Sequence, residues 1–100
     1  MDDLLQLQKR IYDNKVAKGF NVSDVYMEFC YMYGEMHEAC DAYAKKKDDL
    51  GEELADVAIY LLGLSEILGI DLGGEIMRKM EKNEKRQYAE VNGVVVRVGE

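Results

Sequence analysis

The chain has 100 residues, of which 48% are hydrophobic and none is proline. This length allows one small globular domain, residues 1–100, and leaves no room for a second. A formal net charge of −7 makes nucleic acid and anionic membranes poor partners, because an acidic surface repels phosphate groups unless cations or a metal intervene.

Two helices are predicted in the first half of the chain. The first runs from about Asp2 to Ala17, and Gly19 follows it at a position where helix ends favour glycine. The second starts near Ser23, a residue type that favours the N-cap, and continues to about Lys46. Because this segment is rich in tyrosine and methionine, we expect the second helix to be buried on more than one face.

Two more helices are predicted in the second half. The third begins at Asp48 or Asp49 and ends near Leu68, and the fourth begins after Asp71 and ends near Gln87. Connections as short as these place neighbouring helices antiparallel. The sequence therefore predicts an all-α protein with a four-helix bundle-like fold.

A short extended tail follows the helices at residues 89–100. It carries the dipeptide Asn92-Gly93 between valine-rich segments. Asn-Gly favours the type I′ turn of a β-hairpin. Because an isolated two-stranded hairpin is only marginally stable in water, we expect the tail to pack on a helix or on a second subunit.

Three features indicate a cytoplasmic protein with no membrane partner. The longest uncharged apolar run, residues 57–65, is far shorter than the roughly 20 residues that span a bilayer. The acidic N-terminus does not resemble a signal peptide. Cys30 and Cys40 lie about 15 Å apart on one predicted helix, too far for a disulfide, so we expect reduced, packed thiols.

Two carboxylate pairs are the most informative feature of the sequence. Glu35 and Glu38 lie three residues apart on the second helix, and Glu53 and Asp56 have the same spacing on the third. That spacing puts both carboxylates of a pair on one helix face, where like charges destabilise the helix. Because an antiparallel connection can bring the two faces together, the pattern predicts a divalent cation between them.

The ligand type narrows the choice of metal. Oxygen ligands alone suit hard cations such as Mg²⁺, Mn²⁺ or Ca²⁺. A di-iron site needs Glu-x-x-His motifs on two helices, and the single histidine, His37, follows Glu35 by only two residues, which excludes that site. We expect His37 to be a surface or interface residue. The alternative interpretation of the carboxylates, a solvated acidic face, stays open at this point.

A second set of polar residues lies on the fourth helix. Lys79, Asn83 and Arg86 have i, i+4 and i+7 spacing and therefore share one helix face. Lysine and arginine neutralise phosphate oxygens, and asparagine adds a neutral donor. The alternative is a solvated face with local charge pairs such as Glu75 with Lys79. Beside a carboxylate–metal site, these donors indicate a phosphate-bearing ligand.

Taken together, these motifs resemble the MazG-like, all-α nucleoside triphosphate pyrophosphohydrolases, a superfamily that includes the dimeric dUTPases and the dCTP pyrophosphatases. The resemblance covers roughly residues 19–88 and rests on the order of the motifs rather than on any single one. The motifs are, in chain order, Glu35-x-x-Glu38, fourteen residues, Glu53-x-x-Asp56, and Lys79-x-x-x-Asn83-x-x-Arg86.

The resemblance implies a MazG-type fold and an activity in nucleotide-pool house-cleaning. The implied reaction is hydrolysis of a nucleoside triphosphate to the monophosphate and pyrophosphate, with Mg²⁺, or Mn²⁺ in its place. By this analogy the metal ligands are Glu35, Glu38, Glu53 and Asp56. The phosphates of the substrate are bound by Lys79, Asn83 and Arg86. Glu38 and Glu53 are the expected catalytic residues, and we favour Glu38 as the acceptor of the water's proton.

One departure from the family pattern concerns the first carboxylate pair. Many relatives carry a second glutamate directly before this pair, where the present chain has Gly34. A register shifted by three residues would pair Met32 with Glu35 and lose one ligand. We prefer Glu35 with Glu38, because Gly34 then falls where the dCTP-type relatives also carry glycine.

The resemblance leaves the assembly and the base specificity open. Small relatives form dimers or tetramers with sites near subunit interfaces, so we expect a homodimer or a dimer of dimers. Phe20, Asn21 and Tyr31 are candidates for contacting the base, with core packing as the alternative. The competing function is a non-catalytic helical module of the same fold that binds nucleotide or self-associates.

Overall fold

A computed structural model describes residues 3–99 as four helices followed by an antiparallel β-hairpin. The helices are α1 (Leu4–Ala17), α2 (Val25–Ala44), α3 (Leu50–Ile67) and α4 (Leu72–Glu84), and the strands are β1 (Gln87–Val91) and β2 (Val94–Val98). The predicted all-α class with a short extended tail is confirmed. Asp2, where the sequence predicts the start of α1, lies outside the described residues.

The start of α2 differs from the prediction. The N-cap is Asp24, whose carboxylate accepts a hydrogen bond from the backbone N–H of Met27, so the assignment of Ser23 to this position is wrong. The backbone N–H groups of Ser23 and Asp24 both point at the side-chain oxygen of Asn21. This asparagine turn fixes the preceding segment and moves the helix start one residue along the chain.

The end of α4 also differs from the prediction. The helix ends at Glu84 rather than near Gln87, because the chain is already extended at Gln87, the first residue of β1. Asn92 and Gly93 both have positive φ angles, 52° and 79°, as a type I′ turn requires. Every residue of both strands is exposed, so packing of the hairpin on a second subunit stays a prediction.

The described chain forms a thin core. α3 packs against both α2 and α1, whereas α4 packs chiefly on α1. The buried apolar side chains are few: Ala39, Ala42, Leu62 and Leu64. The centre of the packing is therefore α3, which carries one of the two predicted carboxylate pairs.

Burial of α2 on more than one face is not observed in the single chain. Tyr26, Tyr33 and Tyr43 are 84%, 77% and 74% exposed. The thiols of Cys30 and Cys40 are free, as expected, but exposed rather than packed. The physical reason is that α2 has α3 as its main helical neighbour, so its remaining faces lack a second layer.

The corner between α3 and α4 is held by a buried glutamine. The two helix axes are bent by 105°, and Gly69 at the corner has a φ of 69°. Gln8 of α1 is fully buried there; its amide donates to the carbonyl oxygen of Ile70, and its oxygen accepts from the backbone N–H of Leu72.

Within residues 3–99, no single helix is long and apolar enough to cross a membrane, and α3 and α4 meet that criterion only as this bent pair.

Replacing Gln8 with alanine is expected to lower the free energy of unfolding by about 1–3 kcal/mol, because two backbone groups at this corner lose their hydrogen bonds to a fully buried side chain. Urea denaturation followed by circular dichroism measures this change. Lys9→Ala, an exposed neighbour on the same helix, is the control and should stay within about 0.5 kcal/mol of wild type. Equal stability of the two variants would contradict the role given to Gln8.

Candidate metal centre

The packing of α2 against α3 brings three of the predicted carboxylates together. Glu35, Glu38 and Glu53 each offer one oxygen, and these three oxygens lie within 4.8 Å of one another. Glu35 and Glu53 are half-buried and Glu38 is exposed, so the cluster opens to solvent on one side. Asp56 is the fourth member of the predicted set, and its charge acts on both Glu35 and Glu53.

The electrostatic environment of the cluster disfavours negative charge. Desolvation raises the pKa of Glu35, and the nearby carboxylates of Glu38, Asp56 and Glu53 raise it further. The pKa of Glu53 is also raised, first by desolvation and then by Glu38, Asp49 and Asp56. The leading causes of both shifts are burial and neighbouring carboxylates, so the cluster favours a bound cation or a proton.

One carboxylate oxygen in the cluster is in a position to bind a cation or a hydrogen-bond donor. Within residues 3–99, Oε2 of Glu53 is buried and has no hydrogen-bond partner. A buried carboxylate oxygen without a partner is costly unless a cation or a donor satisfies it. Carboxylate oxygens are ligands that hard divalent cations prefer, so Glu35, Glu38 and Glu53 fit Mg²⁺ or Mn²⁺, with Asp56 beside them.

The raised pKa values predict how metal-free stability depends on pH. A glutamate whose pKa is higher in the folded than in the unfolded chain favours folding at low pH. That contribution is lost as the pH rises from the ordinary value of 4.5 through the raised pKa. We therefore expect the Glu35→Gln variant, measured in EDTA, to gain stability relative to wild type as the pH rises through this window.

Urea denaturation at several pH values measures this difference. Asp41→Asn is a control whose stability relative to wild type should change with pH in the opposite direction, because hydrogen bonding to Lys45 lowers the pKa of Asp41. The stability that Asp41 contributes is present above its ordinary pKa and is lost as the pH falls. A Glu35→Gln difference that is independent of pH would contradict the proposed repulsion within the cluster.

The cations predicted to bind phosphate lie on a different part of the described chain. Lys79 and Arg86 are neighbours, and the charge of Arg86, followed by desolvation and the charges of Lys82 and Arg97, lowers the pKa of Lys79. These groups form a basic cluster where α4 meets the hairpin. Asn83 is exposed on the same helix. α4 packs chiefly on α1, whereas the carboxylates lie on α2 and α3, so the joint site of cations and carboxylates stays a prediction.

A sequence model described as the MazG-like family matches residues 30–99 of the chain. The chain belongs to the MazG-like family. The match includes the three clustered glutamates, Asp56 and the basic cluster of α4, and membership indicates a function related to nucleotide pyrophosphohydrolysis. No match was found among curated proteins or among solved structures.

The sequence interpretation missed a buried ion pair of this MazG-like chain. Glu28 on α2 is 1% exposed and forms an ion pair with Lys15 of α1. A signal for it existed, because Glu28 lies seven residues before Glu35 and therefore on the same helix face. Its partner could not be identified from spacing, because the contact joins two helices.

Proposed function

We propose that the chain is a Mg²⁺-dependent nucleoside triphosphate pyrophosphohydrolase that converts a (d)NTP and water to the (d)NMP and pyrophosphate. The observation that carries this proposal is the convergence of Glu35, Glu38 and Glu53 around a buried, unpartnered oxygen of Glu53. Membership of the MazG-like family supports the reaction class. The biological role would be the removal of unwanted or excess nucleotides.

Each carboxylate has a role in this proposal. Glu35, Glu38, Glu53 and Asp56 would hold the cation, which would supply charge to offset the phosphates and to activate water. Glu38 is the most exposed of the three clustered glutamates and would accept the water's proton as the bond between the α- and β-phosphate groups is cleaved. Glu53 would fix the position of the cation through its buried oxygen.

The substrate's phosphates would be bound by Lys79, Asn83 and Arg86, and we propose that a second copy of the chain supplies them. Solvent-accessible area supports self-association. The described chain exposes 7770 Å², whereas a compact monomer of 11.4 kDa exposes about 5,800 Å². The excess, on the order of 2,000 Å², is of the size that obligate dimers bury. A homodimer or a dimer of dimers would cover the tyrosine-rich faces of α2 and bring the basic cluster to a partner's carboxylates.

A panel of the eight common NTPs and dNTPs, incubated with the protein and Mg²⁺, tests the proposal. The expected products are a nucleoside monophosphate and pyrophosphate in equal amounts, separated by ion-exchange chromatography. Release of orthophosphate instead, or no turnover of any nucleotide, would overturn it. The competing function, a non-catalytic module, predicts that calorimetry with the same nucleotides detects binding although no nucleotide is turned over.

A further inference from the structure

α2 carries two rows of residues whose spacings alternate between three and four. The first row is buried or half-buried against the rest of the chain and consists of Val25, Glu28, Met32, Glu35, Ala39 and Ala42. The residue after each of these belongs to a second row, termed the open seam, which is exposed throughout: Tyr26, Phe29, Tyr33, Met36, Cys40 and Tyr43. Such alternation is typical of helices that pack along their length against another helix. The open seam thus has the periodicity of a helix contact but is uncovered in the described chain.

The two rows point in directions that suit a four-helix bundle. Successive residues of an α-helix turn by about 100°, so the open seam lies about 100° round α2 from the row that faces the rest of the chain. A helix at one corner of a four-helix bundle contacts its two neighbours at roughly a right angle. α3 is one such neighbour of α2, and a helix on the open seam would be the other.

The charges of α2 suit a second copy of the chain as that neighbour. α2 has no lysine or arginine, and its acidic residues are Glu28, Glu35, Glu38 and Asp41. All four lie at least about 110° round the helix from the middle of the open seam. Two copies of this acidic helix therefore meet along the seam with their carboxylates turned away from each other. A ligand that is recognised by charge would find no charged partner on the seam.

The open seam fits its own copy in the antiparallel direction. α2 spans Val25–Ala44, so its centre lies between Gly34 and Glu35, and the open seam has the same centre. An antiparallel second copy therefore overlaps over the whole helix, and the end of each helix lies beside the start of the other, which the helix dipoles favour. In this register each facing pair occurs twice: Tyr26 with Tyr43, Phe29 with Cys40, and Tyr33 with Met36.

The solvent-accessible area also favours a second copy as the occupant. The described chain exposes 7770 Å², on the order of 2,000 Å² more than a compact chain of its mass. Two chains together therefore have on the order of 4,000 Å² to bury, which is within the range of obligate homodimers. Aromatic residues and methionine, which make up most of the open seam, are the types enriched at such interfaces.

We propose that the open seam is a dimer interface, in which α2 packs antiparallel on α2 of a second copy about a twofold axis beside Gly34 and Glu35. Glu38 lies about 170° round the helix from the middle of the seam, so this pair leaves the carboxylate cluster uncovered. The interface that would bring the basic cluster to the carboxylates is therefore a different surface. The two interfaces together make a dimer of dimers, and this last step alone rests on the proposed function.

Sedimentation velocity measures the association of wild type and of two glutamate variants. Tyr33→Glu puts a charge at the centre of the open seam, and the twofold axis repeats it, so we expect the dissociation constant of the pair to rise by at least about 100-fold. Met27→Glu is the matched control, because Met27 is an exposed apolar residue of α2 about 150° from the seam. It should associate as wild type does. A monomeric wild type, or equal association of the two variants, would overturn the inference.

Disulfide trapping tests the direction and the register without adding a charge. The test chain carries Phe29→Cys and Cys30→Ser and keeps Cys40, so the antiparallel register places the new thiol opposite Cys40 of the second copy. Within one chain these two thiols are about 16 Å apart along α2, too far for a disulfide. Oxidation with diamide should therefore produce a covalent dimer on a non-reducing gel.

Two single-thiol chains are the controls for the trapping. One carries only Cys30→Ser, and the other carries Phe29→Cys, Cys30→Ser and Cys40→Ser. Like positions of the two copies lie about 16 Å apart in the antiparallel register, so each control should give less than about a tenth of the covalent dimer. A parallel pair would join like positions instead. Covalent dimer in the controls at the level of the test chain, or in no chain at all, would overturn the inference.

The tests of this interface are independent of the proposed activity, because neither of them uses a nucleotide. A chain that is trapped in the antiparallel register but hydrolyses no nucleotide would support the interface and overturn only the proposed function. A chain that hydrolyses a nucleotide but fails the trapping would overturn the interface and leave the proposed function standing.

Discussion

Glu53→Gln is expected to lower kcat/KM for pyrophosphate release by at least about 100-fold, because a metal ligand contributes several kcal/mol to the stabilisation of charge in the transition state. Glu53 is the carboxylate whose buried oxygen has no partner within the described residues. Glutamine keeps the shape of the side chain but removes its charge, so the fold should survive. Steady-state kinetics with the best nucleotide of the panel measures the effect.

Two comparisons make this result specific. Glu52→Gln is a matched control, because Glu52 is the exposed neighbour on α3 and is not part of the cluster; it should retain activity within about threefold. In EDTA, Glu53→Gln should melt no lower than wild type, since it relieves repulsion among like charges. Wild-type activity in Glu53→Gln, or equal losses in the two variants, would contradict the ligand assignment.

The second large effect is stabilisation by the metal itself. Mg²⁺ at 100 times its Kd should add about 2.7 kcal/mol to the free energy of unfolding. For a chain of this length that corresponds to a rise in melting temperature of roughly 10–20 °C. Ca²⁺ and Mn²⁺ should also stabilise, because the cluster offers only oxygen ligands. Differential scanning fluorimetry at a fixed protein concentration measures the shift.

The same titration on Glu53→Gln separates specific binding from general screening of the acidic chain. This variant should lose most of the Mg²⁺-dependent shift, whereas Glu52→Gln should keep it. Addition of NaCl at matched ionic strength controls for the net charge of −7. A shift that NaCl reproduces, or that Glu53→Gln retains in full, would show that the cluster is only a solvated acidic face.

Local patterns predicted most of the secondary structure and the grouping of three carboxylates. Spacing placed Glu35 with Glu38, and the short connection between α2 and α3 predicted that Glu53 would meet them. The turn at Asn92-Gly93 followed from the φ angles that this dipeptide favours. Each of these features depends on residues that are near in sequence, where steric and hydrogen-bonding preferences are decisive.

Other features could not be predicted because they depend on tertiary contacts. The pairing of Lys15 with Glu28 and the bonds of Gln8 join different helices, and no spacing rule specifies such partners. The direction of α4 could not be predicted from spacing either, because it depends on the 105° bend between α3 and α4. Tyr26, Tyr33 and Tyr43 of α2 stay exposed in the described chain, and the proposed homodimer would cover them.

The most direct test of the central claim is anomalous diffraction from crystals grown with Mn²⁺ and a non-hydrolysable nucleoside triphosphate analogue. The account predicts a manganese peak bounded by oxygens of Glu35, Glu38 and Glu53, with the phosphates of the analogue on its open side. A manganese peak elsewhere, or a bound analogue with no metal at these carboxylates, would contradict it.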